Sequence, residues 1–315
     1  MELSTKFNKA IFVMALFFLF PIALMAQDME MKKEFSKTSP LGSSQWVSIN
    51  NKFGDVQVTN WDRDEVKTEV TIIVRGGRSK AYMQKLIDSI NVDYKKSDTV
   101  SFSTIIRSSG QETTTDQSEY APVPQGKKRI EVHYKVYLPS KNGLKIINSM
   151  GNTTIPDRQG PIYIVQSFGE LSTGNLPKIS HMEVKFAKMN TGILGSGKIK
   201  ASYSYVNIKG LSGDTKGEFD FCKQIDITVA HNIKNLDLDL SFSKNIHLNF
   251  PDNLDAALSI TTKNGKIVNG SKIPFTLKGE EQAKPVISRV YQGVSGSGKG
   301  ATINVFSSLG DIRIN

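Results

Sequence analysis

The feature that most constrains the fold is a short phrase that recurs along the chain. A small or polar residue is followed by a bulky one, then by a turn residue that is usually glycine, and then by alternating apolar and polar positions. Copies occupy residues 51–58, 149–155, 167–171 and 308–314. Repeated turn-and-strand units are typical of stacked β architectures, in which each repeat buries its apolar row against the next. The phrase therefore predicts the architecture of the chain and says little about its activity.

Alternation of apolar and polar residues predicts strands over most of the chain. Residues 66–74 and 130–138 show it most clearly, because a period of two places successive side chains on opposite faces of a strand. From residue 143 the strand patterns recur at intervals of roughly 18–23 residues, which suits a β-solenoid better than propeller blades of about 40 residues. The competing interpretation is an antiparallel β-sandwich, with turn signals about every 8–12 residues. We expect glycine at the turns because it accepts positive φ.

One segment between residues 78 and 90 has helical periodicity. Ala81, Met83 and Ile87 fall on one face, with polar residues elsewhere, which predicts a short amphipathic helix packed on the sheet. The fold class expected is therefore all-β, built from solenoid-like stacked β-strand repeats of the β-helix type, with this one helix.

The N-terminal 26 residues have the pattern of a signal peptide. Two lysines precede an apolar run, and small residues follow it. A retained membrane anchor is the alternative, although Pro21 interrupts a run that is already short for a span. Because no cysteine lies near the cleavage position, we do not expect a lipoprotein. We expect an exported chain that resides in the periplasm, on the cell surface or outside the cell.

Three further segments follow the signal peptide. Residues 27–40 are expected to form a flexible leader, and residues 41–315 a single β-repeat domain. Residues 108–128 are polar and poor in apolar side chains, which predicts a mobile insertion within that domain.

The chain carries a formal net charge of +10 at pH 7. Such a charge favours anionic partners: lipid headgroups, acidic polysaccharide or nucleic acid. An exported protein meets envelope polymers and phospholipid, so no nucleic acid partner is expected. The open alternatives are an envelope glycan, an anionic surface and a membrane protein. Because the basic residues are scattered along the strands, an ordinary solvated face is the simpler interpretation.

Residues that could carry chemistry are sparse. Cys222 is the only cysteine, which excludes an intrachain disulfide and suggests a small buried side chain. The four histidines lack metal-site spacing. Residues 293–299 match the first seven positions of a phosphate-binding loop, but Gly300 replaces the required Ser or Thr and a strand follows in place of a helix. We therefore assign no catalytic residue, metal or cofactor.

Two sets of residues are candidates for surface binding. Flat aromatic side chains can stack on sugar rings, which singles out Trp46, Trp61, Tyr203 and Tyr205, and packing onto the core is the alternative for them. Within residues 236–240 the alternation points the Asp237 and Asp239 carboxylates outward from one strand face. A carboxylate pair separated by about 5–9 Å is what glycoside hydrolysis requires, whereas a solvated strand face is the simpler interpretation of these two.

Several segments together resemble the DUF4097 family of exported β-repeat proteins. The resemblance rests on residues 51–62 (NKFGDVQVTNWD), the helix at 78–90, residues 134–139 (YKVYLP) with 148–152 (NSMGN), and the glycine-rich end at 296–312. It covers roughly residues 41–315 and implies a "toast-rack" fold and an adhesin-like function. That family carries no established catalytic residues, so none is transferred. The insertion at 108–128 departs from the family pattern.

The function expected is that of an exported, non-enzymatic, envelope-associated binding protein, adhesin-like, in contact with glycan, anionic or protein partners. The alternative is a polysaccharide-acting enzyme on a β-helix scaffold that uses Asp237 and Asp239. A structural or signalling partner of a membrane protein is a third interpretation.

Overall fold

A computed structural model describes residues 29–76, 79–108, 111–113, 129–278 and 288–315. The described chain is all-β with one helix, α1 (Lys80–Asp88). The first nine strands are β1 (Glu30–Pro40), β2 (Trp46–Asn51), β3 (Val56–Trp61), β4 (Glu65–Arg75), β5 (Ile90–Lys96), β6 (Thr99–Ser108), β7 (Gln111–Thr113), β8 (Arg129–Pro139) and β9 (Gly143–Asn148).

The remaining strands include three of unusual length. They are β10 (Thr153–Ile155), β11 (Ile162–Thr173), β12 (Leu176–Ser202), β13 (Tyr205–Asp220), β14 (Gln224–Asp239), β15 (Ile246–Asn249), β16 (Ala256–Lys263), β17 (Ile267–Asn269), β18 (Phe275–Lys278), β19 (Ser288–Ser295), β20 (Ala301–Ser308) and β21 (Ile312–Ile314). Register shifts interrupt the pairing of β12 with β13 and of β13 with β14, and such irregularities bend the strands.

The centre of the molecule is a stack of parallel strands. β9, β11, β12, β13 and β14 pair in that order, each parallel to the next. Gln166 lies beside Val184, and Lys216 lies beside Asp237. Successive passes of the chain are 17 to 21 residues apart, which is close to the interval of roughly 18–23 expected from the sequence.

Antiparallel strands flank the parallel stack on both sides. On the N-terminal side β8 pairs with β4 and β4 with β1, while β6 pairs with β5 and β7. On the C-terminal side β20 extends the parallel pairing from β14 to β16, and β16 then pairs antiparallel with β19, which pairs antiparallel with β18. The order of strands in space therefore departs from their order in the chain, because β20 lies between β14 and β16.

The flexible leader expected at 27–40 is wrong for residues 30–40, which form β1. This strand runs antiparallel to β4 along its whole length. Met31 and Phe35 pack against the core, and the ammonium of Lys33 donates hydrogen bonds to the carbonyl of Ile90 and the side chain of Asn91. In the first half of β1, half-buried side chains alternate with exposed ones, which allows the strand to pack on the core while it pairs with β4. The lysine-rich composition of this segment made the alternation difficult to recognise in the sequence.

The helix expected between residues 78 and 90 is present as α1. Ser79 caps it, because its hydroxyl oxygen accepts a hydrogen bond from the Tyr82 N–H. Met83 and Ile87 are buried on the face that packs on the sheet. The described part of the chain contains no helix that is both long and apolar enough to cross a membrane.

Three residues of the expected polar insertion form a strand. Residues 111–113 form β7, which pairs with the end of β6. Residues 109–110 and 114–128 of the expected insertion lie outside the described residues. The expected signal peptide lies outside them as well.

The interior is aliphatic, with a few polar side chains that bond to one another. In the N-terminal part the Thr104 hydroxyl lies 3.0 Å from the Asn51 side-chain oxygen and 2.9 Å from the Tyr134 hydroxyl. The Asn51 amide also donates to the carbonyls of Gly54 and Val132. Because buried polar groups are costly unless paired, these bonds fix the first copy of the repeated phrase onto its neighbours.

Candidate functional site

Five aromatic side chains form a continuous stack along one corner of the molecule. The stack, called here the aromatic column, consists of Phe168, Phe186, Tyr203, Phe221 and Phe242. Neighbouring ring centroids are 5.4, 5.0, 5.1 and 5.0 Å apart, and the ring planes differ by no more than 13°. Each ring comes from a successive pass of the chain, so the strand spacing of about 4.8 Å sets the spacing of the rings.

The column is exposed to solvent along its whole length. Its members retain between 40% and 50% of their accessible surface. Met150 and Leu309 hold the corresponding position of the phrase beyond the two ends and are 39% and 52% exposed. The corner therefore presents a single file of apolar side chains about 20 Å long, at roughly 5 Å per ring.

The backbone at each ring has an unfavourable conformation. All five column residues have φ between 52° and 58°, in the left-handed region that bulky side chains seldom occupy. We expected positive φ at the glycines of the phrase, and this is wrong for its first and last copies, where Phe53 has φ 63° and Leu309 has φ 59°. The following residue, Gly54, is needed for space, because a Cβ there would overlap the carbonyl of Val132.

Small or polar residues buried behind the aromatic column form hydrogen bonds to the backbone at this corner. The Gln166 amide donates to the carbonyls of Gly151 and Phe168, at 2.7 and 2.6 Å. Further along, the Ser204 hydroxyl accepts from the Ala187 N–H. These bonds lie next to Phe168 and Phe186 and hold the backbone from which those two rings extend.

Cys222 belongs to the same supporting row. Its backbone N–H donates to the Ser243 hydroxyl at 3.0 Å, and its side chain is 1% exposed. Burial raises the pKa of the thiol to about 11, which makes it a poor nucleophile. The expectation of a small buried side chain is confirmed.

A row of basic side chains runs along one side of the column. From Phe186 onward each ring is followed by a buried residue and then by an exposed one, and the exposed residues are Lys188, Tyr205, Lys223 and Lys244. The Lys223 ammonium lies 5.5 Å from the centre of the Tyr205 ring, a cation–π contact. We call these four residues the basic flank. Tyr205, one of the candidates for surface binding, is thus part of a mixed aromatic and cationic row.

The stacking limits what the column can bind. Sugar rings bind to the flat face of an aromatic side chain, but both faces of each inner ring are covered by the adjacent rings. Tyr203 is in the middle of the stack, so its exposed surface consists of ring edges and its hydroxyl. The column therefore offers an apolar ridge of ring edges in place of a set of flat platforms.

The two tryptophans lie away from this corner and are only partly exposed. The ring of Trp46 fills the space above Gly143, where a Cβ would overlap it. Trp61 stacks against Tyr137 with centroids 5.7 Å apart, and its indole N–H donates to the Glu65 carbonyl at 2.8 Å. Both rings are engaged in packing, which was the alternative considered for them.

Asp237 and Asp239 lie in a shallow cleft on a flat face of the stack. The cleft has a volume of about 370 Å³, and its lining includes both aspartates, Glu218 and Asn304. The Asn304 amide donates to the Asp237 carboxylate at 2.9 Å, while the backbone and hydroxyl of Ser241 bond to Asp239. The two carboxylates are brought to one face as expected, and each already has a hydrogen-bond donor.

The carboxyl groups around this cleft differ in their affinity for protons. The ammonium groups of Lys198 and Lys200, 2.8 and 2.6 Å away, lower the pKa of Glu218 to about 2. Burial, together with the charges of Asp239 and Glu218, raises the pKa of Asp220. Neighbouring carboxyl groups with different pKa values are a property of acid–base catalytic sites, although networks of ion pairs also produce such differences.

The glycine-rich loop that resembles a phosphate-binding motif binds a carboxylate of the protein itself. The Asp255 carboxylate accepts hydrogen bonds from the Gly298 N–H at 2.7 Å and from the Ser297 hydroxyl. These contacts lower the pKa of Asp255 and occupy the donors that a phosphate would need. Within the described residues no group of three His, Cys, Asp or Glu side chains could hold a metal ion.

Sequence reasoning found one column member, Tyr203, and missed the four phenylalanines. Part of the signal was present: Phe168 fills the bulky position of one copy of the repeated phrase, and the other three phenylalanines each precede a small residue. Repeat stacking predicts that the apolar residues of the phrase are buried against the next pass. The left-handed backbone conformation instead turns these four side chains outward.

Comparisons with known proteins give distant structural likenesses only. No family model matches the chain, and no curated protein matches it. A candidate adhesin from Bacteroides fragilis has a TM-score of 0.37 at 10% identity, covering 90% of this chain and 97% of its own. A candidate cell adhesion protein from Clostridium sporogenes has a TM-score of 0.25 at 14% identity, with coverage of 90% and 99%. A candidate lipid binding protein from Parabacteroides distasonis has a TM-score of 0.26 at 10% identity, with coverage of 90% and 97%.

Proposed function

We propose that this chain is an exported, non-enzymatic binding protein of the cell envelope, adhesin-like, and that the aromatic column is its contact surface. We also propose that the parallel stack is a β-solenoid of the toast-rack type, within a single domain over residues 41–315. In this arrangement the strands serve to align one corner residue from each pass of the chain.

The observation that carries the proposal is the exposed column itself. Five half-exposed aromatic residues in one file leave apolar surface in water, and contiguous apolar surface on a folded protein marks interaction sites. Each of the five also holds a left-handed backbone conformation, which costs roughly 1–3 kcal/mol and is found where function requires it. Mutual stacking offsets part of this cost, at about 0.5–1.5 kcal/mol per pair.

The test is binding of the purified protein to a bacterial envelope fraction. Phe186→Asn with Phe221→Asn removes two rings, and asparagine tolerates positive φ better than other side chains except glycine. Val268→Asn with Val294→Asn is the matched control, because these valines are exposed to a similar extent outside the column. We expect the column variant to lose at least tenfold in binding and the control to keep it. Equal binding by both variants would exclude the column as the contact surface.

The cleft with Asp237 and Asp239 supports a second candidate, a polysaccharide-acting enzyme. It is favoured by the two carboxylates on one face and by the unequal pKa values of the carboxyl groups nearby. Product release from a panel of acidic polysaccharides is the assay. Release by the wild type that disappears in an Asp237→Ala, Asp239→Ala double variant would favour the enzyme, and unchanged release would exclude this site.

A further inference from the structure

The column and the basic flank together have the composition of a lipid-interface contact. Tyrosine is enriched in the headgroup region of a bilayer, and phenylalanine is typical of the apolar side of segments that lie in the interface, with lysines on the polar side that extend towards anionic headgroups. We propose that this corner docks on an anionic phospholipid surface, with the ring edges in the interfacial layer and Lys188, Lys223 and Lys244 at the headgroups. This inference rests on the proposed function, because it names the partner of the same surface.

The shape of the corner favours lipid over a rigid partner. The ridge is one side chain wide, whereas a stable protein–protein interface buries about 800 Å² on each partner. Sugar rings would need the flat ring faces, which the column covers by its own stacking. A fluid headgroup layer adapts to a narrow ridge, and all the exposed rings can enter it together because they lie on one line.

The charges beside the column are mainly positive. The basic flank contains three lysines and no acid. At the Phe168 end Glu170 takes the corresponding place, and its carboxylate accepts a hydrogen bond from the Asn190 amide at 3.0 Å. On the opposite side of the column Asp220 precedes Phe221. The attraction to anionic lipid is therefore strongest along the part of the column from Phe186 to Phe242.

Vesicle co-sedimentation of the purified protein tests the proposal directly. The probes are vesicles of phosphatidylcholine with about 30% phosphatidylglycerol, and vesicles of phosphatidylcholine alone. Each lysine near an anionic surface contributes about fivefold in affinity, so Lys188→Gln, Lys223→Gln and Lys244→Gln combined should weaken binding to the anionic vesicles by about 100-fold. The neutral vesicles should bind the wild type much more weakly than the anionic ones.

A charge-matched variant separates docking at this corner from general attraction. Lys178, Lys209 and Lys234 are also exposed but lie on other parts of the passes. Their combined change to glutamine removes the same charge and should weaken binding less than fivefold. The Phe186→Asn, Phe221→Asn variant should lose binding to anionic vesicles while keeping the circular dichroism of the wild type.

The outcomes distinguish this inference from the proposed function. Equal losses in the two triple-lysine variants, or no binding of the wild type to anionic vesicles, would overturn the lipid proposal. If the column variant then still lost binding to the envelope fraction, the column would remain a contact surface for a glycan or protein. If the column variant bound both envelope and vesicles like the wild type, both proposals would fail.

Discussion

Replacement of Tyr203 by glycine should be less damaging than replacement by alanine. Both changes remove the two stacking contacts of this central ring, at about 0.5–1.5 kcal/mol each. At φ 54° alanine keeps a left-handed penalty of roughly 1–2 kcal/mol, which glycine avoids. Glycine loses about 0.5–1 kcal/mol through its greater unfolded-state entropy. The glycine variant should therefore be more stable than the alanine variant by about 0.5–1 kcal/mol.

Urea denaturation of both variants provides the measurement, with the same pair of changes at Thr302 as the control. Thr302 is exposed on β20 and does not have positive φ, so alanine there should be more stable than glycine by about 0.5–1 kcal/mol. We therefore expect the glycine variant to be the more stable of the pair at position 203 and the alanine variant to be the more stable at position 302. If alanine equalled or exceeded glycine at position 203, the argument that the ring is held in a strained conformation would be refuted.

Three further predictions concern the residues beneath and beside the column. Gln166→Leu leaves the carbonyls of Gly151 and Phe168 without their donor and should destabilise the fold by about 2 kcal/mol in urea denaturation; no change would show that the bonds are unimportant. Cys222 should resist a thiol reagent such as DTNB in the native protein and react on unfolding, because burial raises the pKa of its thiol to about 11; rapid native labelling would contradict this. Glu218→Gln should destabilise by about 1–2 kcal/mol at pH 7. The pKa of Glu218 is lowered from 4.5 to about 2, so its contribution is complete above pH 4.5 and lost as the pH falls through 2; a difference that grew on acidification would contradict the ion-pair explanation.

Local patterns were sufficient to predict most of the strands, the helix and the approximate interval between passes, but not β1 or β7. Period-two alternation identified β4 and β8, and helical spacing identified α1, since both signals depend on burial of one face. The leader was misjudged because β1 is an outer strand, paired only with β4 among the described residues. Lysines on its solvent side hid the inward row that includes Met31 and Phe35.

The column could not be predicted from propensity, because it depends on register. Only the parallel pairing of distant passes brings Phe168, Phe186 and Phe221 into line, and no local rule predicts positive φ for such residues. Asp237 and Asp239 could be predicted as a pair, since alternation places them on one face. Their cleft could not, because it also needs β20, which returns from far along the chain to lie beside β14.

Hydroxyl-radical footprinting of the protein bound to an envelope fraction tests the central claim most directly. It reports which side chains lose solvent access in the complex. If the column is the contact surface, Phe186, Tyr203 and Phe221 should become protected, while Trp61 and the cleft around Asp237 should not change. Protection of the cleft with an unchanged column would contradict the account.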